Sequence, residues 1–437
     1  MGVIMQAFYW DCPKLAGLEY KWWSHVRDQV EQLAQVGFTA LWLPPVNKAG
    51  NVSGISMGYD PYDYYDLGEF DQKGTKPTWF GSKAKLTSLI RAAHDRGLHV
   101  YADLVINHNS GGDAEEKNPI DGRTRWTKFT PKSGKFERNW EHFHPNQYEL
   151  YDDGRFGDMP DLCHHHPYVY DEILKLARWM VEDIGFDGFR YDMVKGYGGW
   201  MVRAIQELRL RGGSFRPFGV GECWDSDYTI DQWLDEANAF SDNPASAFDF
   251  PQRYRLRDLC QQYGFDLRAL AYGGTLSRDR PFQAVTFVEN HDVERDDPIV
   301  QNKMLAYAYI LTHEGYPCVF WRDYFEYGLA RPDQPDGIDA LVDAHRHYAG
   351  GNTDVLYADH DLYIMQRRGW GGQPGLVFIL NNRGDWAGHW VGTCFANQSL
   401  VPVAYSCAET PYAKWTQSNG WVDIWAPPRG YVVYAVR

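Results

Sequence analysis

The stretch Asp183-Ile184-Gly185-Phe186-Asp187-Gly188-Phe189-Arg190-Tyr191-Asp192 decides the fold class of this chain. Apolar residues between positions 173 and 184 recur at helical spacing, and the pattern stops at Gly185. Glycine just past a helix end is the expected stop, because it adopts the left-handed backbone conformation at little cost. The short apolar run at 188–192 then has the length of a buried strand. The stretch therefore predicts a helix, a glycine turn and a strand in direct succession.

The same joint occurs twice more, at residues 35–43 and 95–102. Helices that alternate with short apolar strands indicate βα units on a parallel sheet. Eight candidate strands follow one another: Val3–Phe8, Thr39–Leu43, His99–Val105, Gly188–Asp192, Gly219–Glu222, Ala247–Phe250, Ala284–Val288 and Cys318–Trp321. Eight such strands fit an α/β fold of the closed (β/α)8 TIM barrel type. The alternative is an open doubly wound sheet, but no glycine-rich phosphate fingerprint follows the first strand.

Two stretches interrupt the alternation of helices and strands. Between the third strand and its helix lie residues 108–163, which are too many for a structureless loop and predict a small inserted domain. From residue 351 the pattern changes to short alternating strands separated by turns, which predicts a C-terminal antiparallel β domain. We therefore expect a barrel built from residues 1–107 and 164–350, an inserted domain at 108–163 and a terminal domain at 351–437.

Charge and composition exclude several classes of partner. The formal net charge is −15, which disfavours nucleic acid and anionic membrane surfaces, because both require an excess of Lys and Arg. The longest apolar run, residues 304–311, is far shorter than the roughly 20 residues of a spanning helix. We expect no membrane segment and a monomer. The beginning of the sequence carries no signal-peptide pattern, so we expect a secreted protein whose signal is not part of this sequence, or else a cytoplasmic one.

Aromatic residues and cysteines leave alternatives open. Aromatic residues make up 16% of the chain, and rings with a polar edge suit both a protein core and flat platforms for sugars. Five tryptophans of the last domain are candidate sugar platforms, but the pattern favours core positions for most of them: Trp386, Trp390, Trp415, Trp421 and Trp425. The seven cysteines show no zinc-ribbon spacing, and most are typical of isolated core residues. Cys394 and Cys407 lie close in sequence and could pair.

Polar residues gather where four of the predicted strands end. They stand in the segments Asp103–His108, Phe189–Asp192, Gly221–Trp224 and Phe287–Asp292. One aspartate at a strand end is usually a turn residue or a helix cap. In a parallel barrel, however, catalytic groups lie at the C-terminal ends of the strands. Four such segments in order therefore predict an active site at this end of the barrel.

These four segments resemble the four signature regions of the α-amylase family of glycoside hydrolases. Gly58–Pro61 with Tyr65–Phe70, and Met159–Leu162, resemble two further motifs of that family, and the likeness covers residues 1–345 well. The stretch Asp152-Asp153-Gly154 and Cys163 resemble most closely the archaeal and plant-like members of the family. The resemblance implies retaining endo-hydrolysis of internal α-1,4-glucosidic bonds in starch, glycogen and maltooligosaccharides. An exo-acting maltooligosaccharide-forming amylase or an α-glucanotransferase is the alternative within the family. A non-catalytic glucan-binding protein is disfavoured, because such proteins usually lack one or more of the carboxylates.

The resemblance also assigns roles to individual residues. It makes Asp192 the nucleophile and Glu222 the general acid and base, while Asp292 holds sugar hydroxyls and favours ring distortion. Glycoside hydrolysis needs such a carboxyl pair around the scissile bond. Arg190 lies two residues before Asp192 on the same face, so it can keep that carboxylate ionised or pair with Asp103. The resemblance assigns contacts with the bound glucan to four further residues: Tyr59, His108, Lys195 and His291.

A structural Ca²⁺ is the cofactor that the resemblance implies. Its oxygen ligands would come from Asn107, Asp152, Asp161 and the carbonyl groups of Gly154 and Gly196. Some archaeal relatives add Zn²⁺ held by two His and one Cys. Here His144 and Cys163 match, while Glu149 stands where the second His would be, which argues against zinc. The run His164–His166 is interpreted as a solvated loop, because adjacent side chains point in different directions.

Overall fold

The computed structural model describes residues 2–14, 17–51 and 56–437. By internal contacts the chain divides into two compact units. The first comprises Met1–Gln6, Gln35–Thr39 and Asp249–Arg437, and the second comprises Ala7–Ala34 and Ala40–Phe248. Among the residues that the structure describes, no helix is long and apolar enough to cross a membrane.

Eight parallel strands form a closed barrel, which confirms the predicted fold class. They are β1 Ile4–Gln6, β2 Ala40–Leu43, β3 His99–Leu104, β4 Gly188–Tyr191, β5 Phe218–Gly221, β6 Ser246–Phe248, β7 Ala284–Phe287 and β8 Tyr316–Phe320. The order around the barrel follows the chain, and both ends of each strand lie within two residues of the predicted bounds. The register of β3 and β4 places Asp103 beside Arg190. This pairing brings the polar residues of two neighbouring strand ends together.

Helices follow most of the barrel strands. They are α1 Trp22–Val36, α2 Lys83–Asp95, α3 Pro167–Trp179, α4 Gly199–Gln206, α5 Asp227–Ala237, α6 Phe250–Gln261, α7 Leu276–Asp279, α8 Val293–Asp296, α9 Lys303–Ile310 and α10 Ile338–Tyr348. The predicted glycine stops are present, with φ of 119° at Gly37, 76° at Gly97 and 104° at Gly185. α3 continues as a π-helical turn at Met180–Ile184 before Gly185 ends it. These left-handed glycines turn the chain from helix into strand.

The segment after β3 folds on a small hairpin of strands Ala114–Lys117 and Thr124–Lys128. Its interior contains the buried Arg138, whose guanidinium donates to the carbonyl oxygens of Phe136 and Tyr62. The interpretation of His164–His166 as a solvated loop is wrong for His164. That side chain is 2% exposed, and its Nε2 hydrogen-bonds to the Ile106 carbonyl at 3.1 Å, while His166 accepts from Tyr168 N to cap α3.

The C-terminal strands form two antiparallel layers. A six-stranded sheet has the order β9 Thr353–Ala358, β10 Leu362–Arg367, β11 Leu376–Asn381, β16 Gly430–Val436, β13 Ser399–Tyr405 and β14 Lys414–Trp415. The strands β12 Ala387–Gly392 and β15 Trp421–Ala426 pair separately as a two-stranded ribbon. Apolar residues of the ribbon and of the larger sheet share one hydrophobic core, with Val391 and Ile424 among them. All seven cysteines lie in the described part of the chain and are free thiols there, so Cys394 and Cys407 do not pair.

Candidate active site

Arg190 on β4 is the centre of the charged cluster at the strand ends. Its Nη1 donates to Asp103 Oδ1 at 2.8 Å and to Asp192 Oδ1 at 2.6 Å. Its Nη2 lies 2.8 Å from Glu222 Oε1. Burial alone would lower the pKa of Arg190, but these three carboxylates hold it well above its ordinary value. Both contacts expected from the sequence are present, and the contact with Glu222 is an addition that the sequence did not predict.

Asp192 and Glu222 follow directly after β4 and β5, so adjacent strand ends bring them to the same guanidinium. They are 8% and 9% exposed, which leaves each carboxyl group partly accessible. Glu222 Oε2 also accepts a hydrogen bond from Met193 N at 3.1 Å. Met193 has φ of 45°, a left-handed conformation that a non-glycine residue seldom adopts and that recurs at functional sites. The turn after β4 thus directs a backbone donor at Glu222.

Asp103 on β3 holds Arg190 in position through the hydrogen bond that it accepts from Nη1. It is fully buried and accepts hydrogen bonds from Trp42 Nε1 at 3.1 Å and from the Tyr59 hydroxyl at 2.8 Å. Burial, together with the nearby Asp192, raises the pKa of Asp103 to about 7, and Arg190 opposes this rise. These contacts let Asp103 hold both Tyr59 and Arg190 in position.

Aromatic rings surround the charged cluster. The Tyr59 ring stacks on Trp10 with centroids 6.1 Å apart, and the Arg190 guanidinium lies 5.8 Å from the Tyr59 centroid. His108 is 1% exposed, its Nε2 lies 2.9 Å from the Tyr59 carbonyl oxygen, and its ring stacks on Phe156. Trp10 and Phe156 were missed at the sequence level, because neither belongs to a polar strand end.

Asp292 lies in the first unit, where it precedes α8. Its carboxylate oxygens lie 3.2 Å from His291 Nε2 and 3.2 Å from an Arg295 guanidinium nitrogen. The His291 ring is also 3.1 Å from Gln6 Nε2 at the end of β1. The side chain of Asn290 accepts from the Asp292 and Val293 amides and so fixes the turn. These contacts hold both predicted side chains of this segment in defined positions.

Glu289 is a buried residue of the same segment that sequence reasoning missed. It is 0% exposed and lies 3.1 Å from Arg253 and 3.3 Å from Lys303. Burial raises the pKa of Glu289 to about 7, and the two cations oppose the rise. Its Oε1 accepts from Ile299 N at 2.6 Å. Glu289 thus ties the chain before Asp292 to α6 and α9.

Lys195 lines a cleft of 1020 Å³ in the second unit. Its Nζ donates to Asp225 Oδ2 at 2.9 Å and to the Trp224 carbonyl at 3.1 Å. The cleft extends from Met193 to Trp200, whose ring stacks on His165 with centroids 4.7 Å apart. A cleft of this size, lined by polar groups and by aromatic residues such as Trp200, accommodates an extended polar ligand.

Predicted calcium ligands converge beside this cleft. Among the described residues, Asn107 Oδ1 and Asp161 Oδ1 are buried oxygens with no hydrogen-bond partner. A Cβ atom placed on Gly154 would lie 2.7 Å or less from both of them, and 2.7 Å from the Gly196 carbonyl oxygen. Asp152 Oδ1 accepts from Gly154 N at 2.8 Å, and the Gly154 carbonyl accepts from Asn107 Nδ2 at 2.6 Å. Several hard oxygens around a glycine fit the ligand set that Ca²⁺ prefers.

His144 lies next to these oxygens. Its Nδ1 is 3.1 Å from Asp161 Oδ2, and its Nε2 is 3.2 Å from Glu149 Oε2. Burial opposes the charge on this ring, but the surrounding carboxylates raise the pKa of His144 to about 10. Donor atoms of His144, Glu149 and Cys163 lie within 4.8 Å of one another, as do those of His144, Asp152 and Asp161. The structure therefore brings Glu149 to the position that a third zinc ligand would take.

Comparison with known proteins identifies relatives over almost the whole chain. Residues 23–210 match the family model "Alpha amylase, catalytic domain", and residues 376–435 match "Alpha-amylase C-terminal". The α-amylase of Geobacillus stearothermophilus is 33% identical over 98% of this chain and 87% of its own. The glucan 1,4-α-maltohexaosidase of Bacillus sp. (strain 707) is 31% identical over 87% of this chain and 82% of its own.

A solved structure shares the fold. The α-amylase from Geobacillus thermoleovorans, crystallised with acarbose, has a TM-score of 0.70 at 18% identity. The match covers 100% of this chain and 98% of that one.

Arg190→Met tests the central position of the guanidinium. Removing one partner from a buried ionic cluster leaves uncompensated charges, so we expect the free energy of unfolding to fall by about 3–5 kcal/mol. Urea unfolding measures this loss. Arg178→Met is the matched control, because the Arg178 side chain is 45% exposed with Glu182 at 3.3 Å, and we expect it to change stability by less than about 0.5 kcal/mol. Equal losses of unfolding free energy in the two variants would refute the central role of Arg190 in the charged cluster.

Proposed function

The chain belongs to the α-amylase family of glycoside hydrolases, and on that premise we propose that it hydrolyses internal α-1,4-glucosidic bonds of starch, glycogen and maltooligosaccharides with retention of configuration. The observation that carries the proposal is the pair Asp192 and Glu222 on one buried guanidinium. Retaining glycosidases place their two carboxyl groups only about 5–5.5 Å apart, so that no water fits between nucleophile and sugar. A single guanidinium that contacts both groups supports such a short separation.

In the first step, Asp192 attacks the anomeric carbon as the bond from that carbon to the leaving oxygen breaks. The proton of neutral Glu222 passes to the leaving oxygen, which departs as a hydroxyl on the shortened chain. Arg190 holds the attacking carboxylate in place, because its Nη1 donates a hydrogen bond to Asp192 Oδ1 at 2.6 Å. The products of this step are a covalent glycosyl-Asp192 ester and an ionised Glu222.

In the second step, water takes the place of the departed chain. Glu222 accepts a proton from the water, whose oxygen bonds to the anomeric carbon while the ester bond to Asp192 breaks. The sugar is released with its original configuration, and both carboxyl groups return to their starting states. Hydrogen bonds from Met193 N and Arg190 keep Glu222 in one orientation during both steps.

Five further side chains complete the proposed site. Asp292 holds hydroxyl groups of the sugar at the cleavage point, and His291 and His108 contact the same sugar. Tyr59 provides the platform beneath it, with a ring that is fixed by Trp10 and by the bond to Asp103. Lys195 contacts the next sugar from the wall of the 1020 Å³ cleft. The exo-acting maltooligosaccharide-forming amylase or α-glucanotransferase stays the alternative, since the relatives include a maltohexaosidase as well as α-amylases.

We also propose that Ca²⁺ binds Asn107, Asp152, Asp161 and the carbonyl groups of Gly154 and Gly196. The ligands come from the end of β3, from the inserted segment 108–163 and from the turn after β4. We propose that the inserted segment is a domain of its own. The ion would fix this domain against the strand ends that bear Arg190 and Asp192. The cluster of His144, Glu149 and Cys163 is the candidate for an additional Zn²⁺.

Asp192→Asn tests the nucleophile. The amide cannot form the covalent intermediate, so we expect kcat on starch to fall by roughly 10⁴-fold or more while the protein stays folded. Iodine staining and reducing ends are followed together on the same samples. The control is Asp183→Asn at an exposed position in the turn after α3, which should leave both rates unchanged.

The two assays separate the alternatives for the parent protein. Fast loss of iodine colour with few new reducing ends indicates internal cleavage. Slow colour loss with many reducing ends would favour the exo-acting alternative. Activity in Asp192→Asn above about one tenth of the parent value would contradict the nucleophile assignment.

Calcium removal tests the metal site. We expect a chelator to lower Tm and added Ca²⁺ to restore it, since an ion at a hundred times its Kd stabilises the folded state by about 2.7 kcal/mol. Asp161→Asn should weaken the response, while Asp158→Asn, an exposed residue of the same segment, should retain it. Elemental analysis of the dialysed protein identifies the ion. A Tm that is insensitive to chelator and calcium would exclude a structural Ca²⁺.

A further inference from the structure

The outer face of the β12–β15 ribbon carries three tryptophans in a row. In the antiparallel register, Trp425 pairs with Gly388, Trp390 with Asp423, and Trp421 with Gly392. Directly opposite residues share a face, so all six residues point away from the core that Val391, Val422 and Ile424 enter from the other face. The exposed fractions are 51% for Trp390, 45% for Trp421 and 40% for Trp425. The interpretation of these tryptophans as core residues is therefore wrong.

Glycines and one carboxylate orient the indole rings. A Cβ on Gly388 would lie 2.6 Å from Trp425 Cγ, so the indole occupies the space above that glycine. A Cβ on Gly392 would similarly lie 3.4 Å from Trp421 Nε1. Trp425 Nε1 also donates to Asp423 Oδ2 at 2.8 Å. Rings that lie over glycines present one face to the backbone and the opposite face to solvent.

The row continues into a groove at the Trp425 end. This groove, of 360 Å³, has aromatic walls at Trp386, Tyr412 and Trp425 and polar groups at Glu409, Thr410 and Lys414. Trp386 is 46% exposed and Tyr412 is 88% exposed. The ribbon face and the groove, together called the tryptophan face below, thus combine flat apolar surfaces with hydrogen-bonding groups at their edges.

We propose that the tryptophan face is a second, non-catalytic binding surface for α-1,4-glucan chains. Sugar rings expose apolar C–H faces and a rim of hydroxyl groups, and an indole with a nearby carboxylate matches both. The row repeats every second residue, which is about 7 Å along a strand and suits a ligand made of repeating units. The proposal rests on the proposed function, since it takes the same polymer as ligand.

The chemistry of the face favours a glucan over other occupants. The outward side chains of its ribbon part are Trp, Gly and Asp, while the aliphatic residues of both strands point into the core. A protein interface is enriched in Met and Arg as well as in aromatic residues, and neither Met nor Arg occurs among the outward ribbon residues or the described residues that line the groove. The net charge of −15 and the central Asp423 disfavour nucleic acid and anionic lipid.

The test measures glucan binding separately from hydrolysis. All variants are made in the full chain with Asp192→Asn, so that the polymer stays intact, and they are assayed by sedimentation with granular starch. We expect Trp390→Ala, Trp421→Ala and Trp425→Ala together to weaken adsorption at least about tenfold, which is about 1.4 kcal/mol. The Trp390 ring covers neither Gly388 nor Gly392. Trp390→Ala alone should therefore weaken adsorption in part without altering Tm. Trp370→Ala, an 80% exposed tryptophan outside the face, is the control.

The same substitutions with Asp192 restored separate this inference from the proposed function. The triple variant should cleave a short maltooligosaccharide at the parent rate and digest granular starch more slowly. Adsorption equal to that of the control would overturn the second site, whatever the activity. Loss of self-association in the triple variant, with starch adsorption unchanged, would assign the face to a second copy and also overturn it. Failure of the parent protein to cleave any glucan would refute the proposed function instead.

Discussion

The contact of one buried guanidinium with three carboxylates is the interaction on which the candidate site depends. Arg190 is 1% exposed, and its ionic partners come from the ends of three adjacent strands, β3, β4 and β5. Because buried carboxylates are costly without a cation, the site could not hold Asp103, Asp192 and Glu222 together in its absence. The planar fork of the guanidinium also fixes the direction of each bond. The Arg190 guanidinium therefore supplies both the charge that stabilises the carboxylates and the geometry of the proposed chemistry.

Residues around Arg190 connect it to the proposed sugar platform and to the proposed calcium site. Asp103 links the guanidinium to Trp42 and to the hydroxyl of Tyr59, so the proposed sugar platform is tied to the same charge. After β4, the left-handed Met193 turns its amide toward Glu222, and the chain continues to Gly196 beside the orphaned oxygens of the proposed calcium site. A change in metal occupancy would thus act on the turn that positions Glu222.

Much of the architecture could be predicted from the residues because its causes are local. Glycine stops such as Gly185 mark where helices turn into strands, and short apolar runs predicted all eight barrel strands to within two residues at each end. The gathering of polar residues at one end of the barrel could be predicted, because the C-terminal ends of parallel barrel strands meet at one face.

The contact between Arg190 and Glu222 could not be predicted. It depends on the register of β4 against β5, which the closed sheet sets and which the spacing of residues in the sequence does not reveal. Burial of His164 and exposure of Trp390 were missed for a similar reason, since each depends on which face a neighbouring segment covers. The separation of domains and the roles of individual site residues stay predictions.

The configuration of the first product tests the central claim most directly. Proton NMR of a maltooligosaccharide, recorded within seconds to minutes of adding the protein, distinguishes the α from the β anomer of the newly formed reducing end before mutarotation mixes them. Two carboxyl groups held on one guanidinium predict the α anomer, because Asp192 attacks first and water enters from the side that the leaving chain vacated. Initial formation of the β anomer would mean a single displacement by water. That result requires carboxyl groups far enough apart to admit the water molecule, and it would contradict the proposed pairing of Asp192 and Glu222.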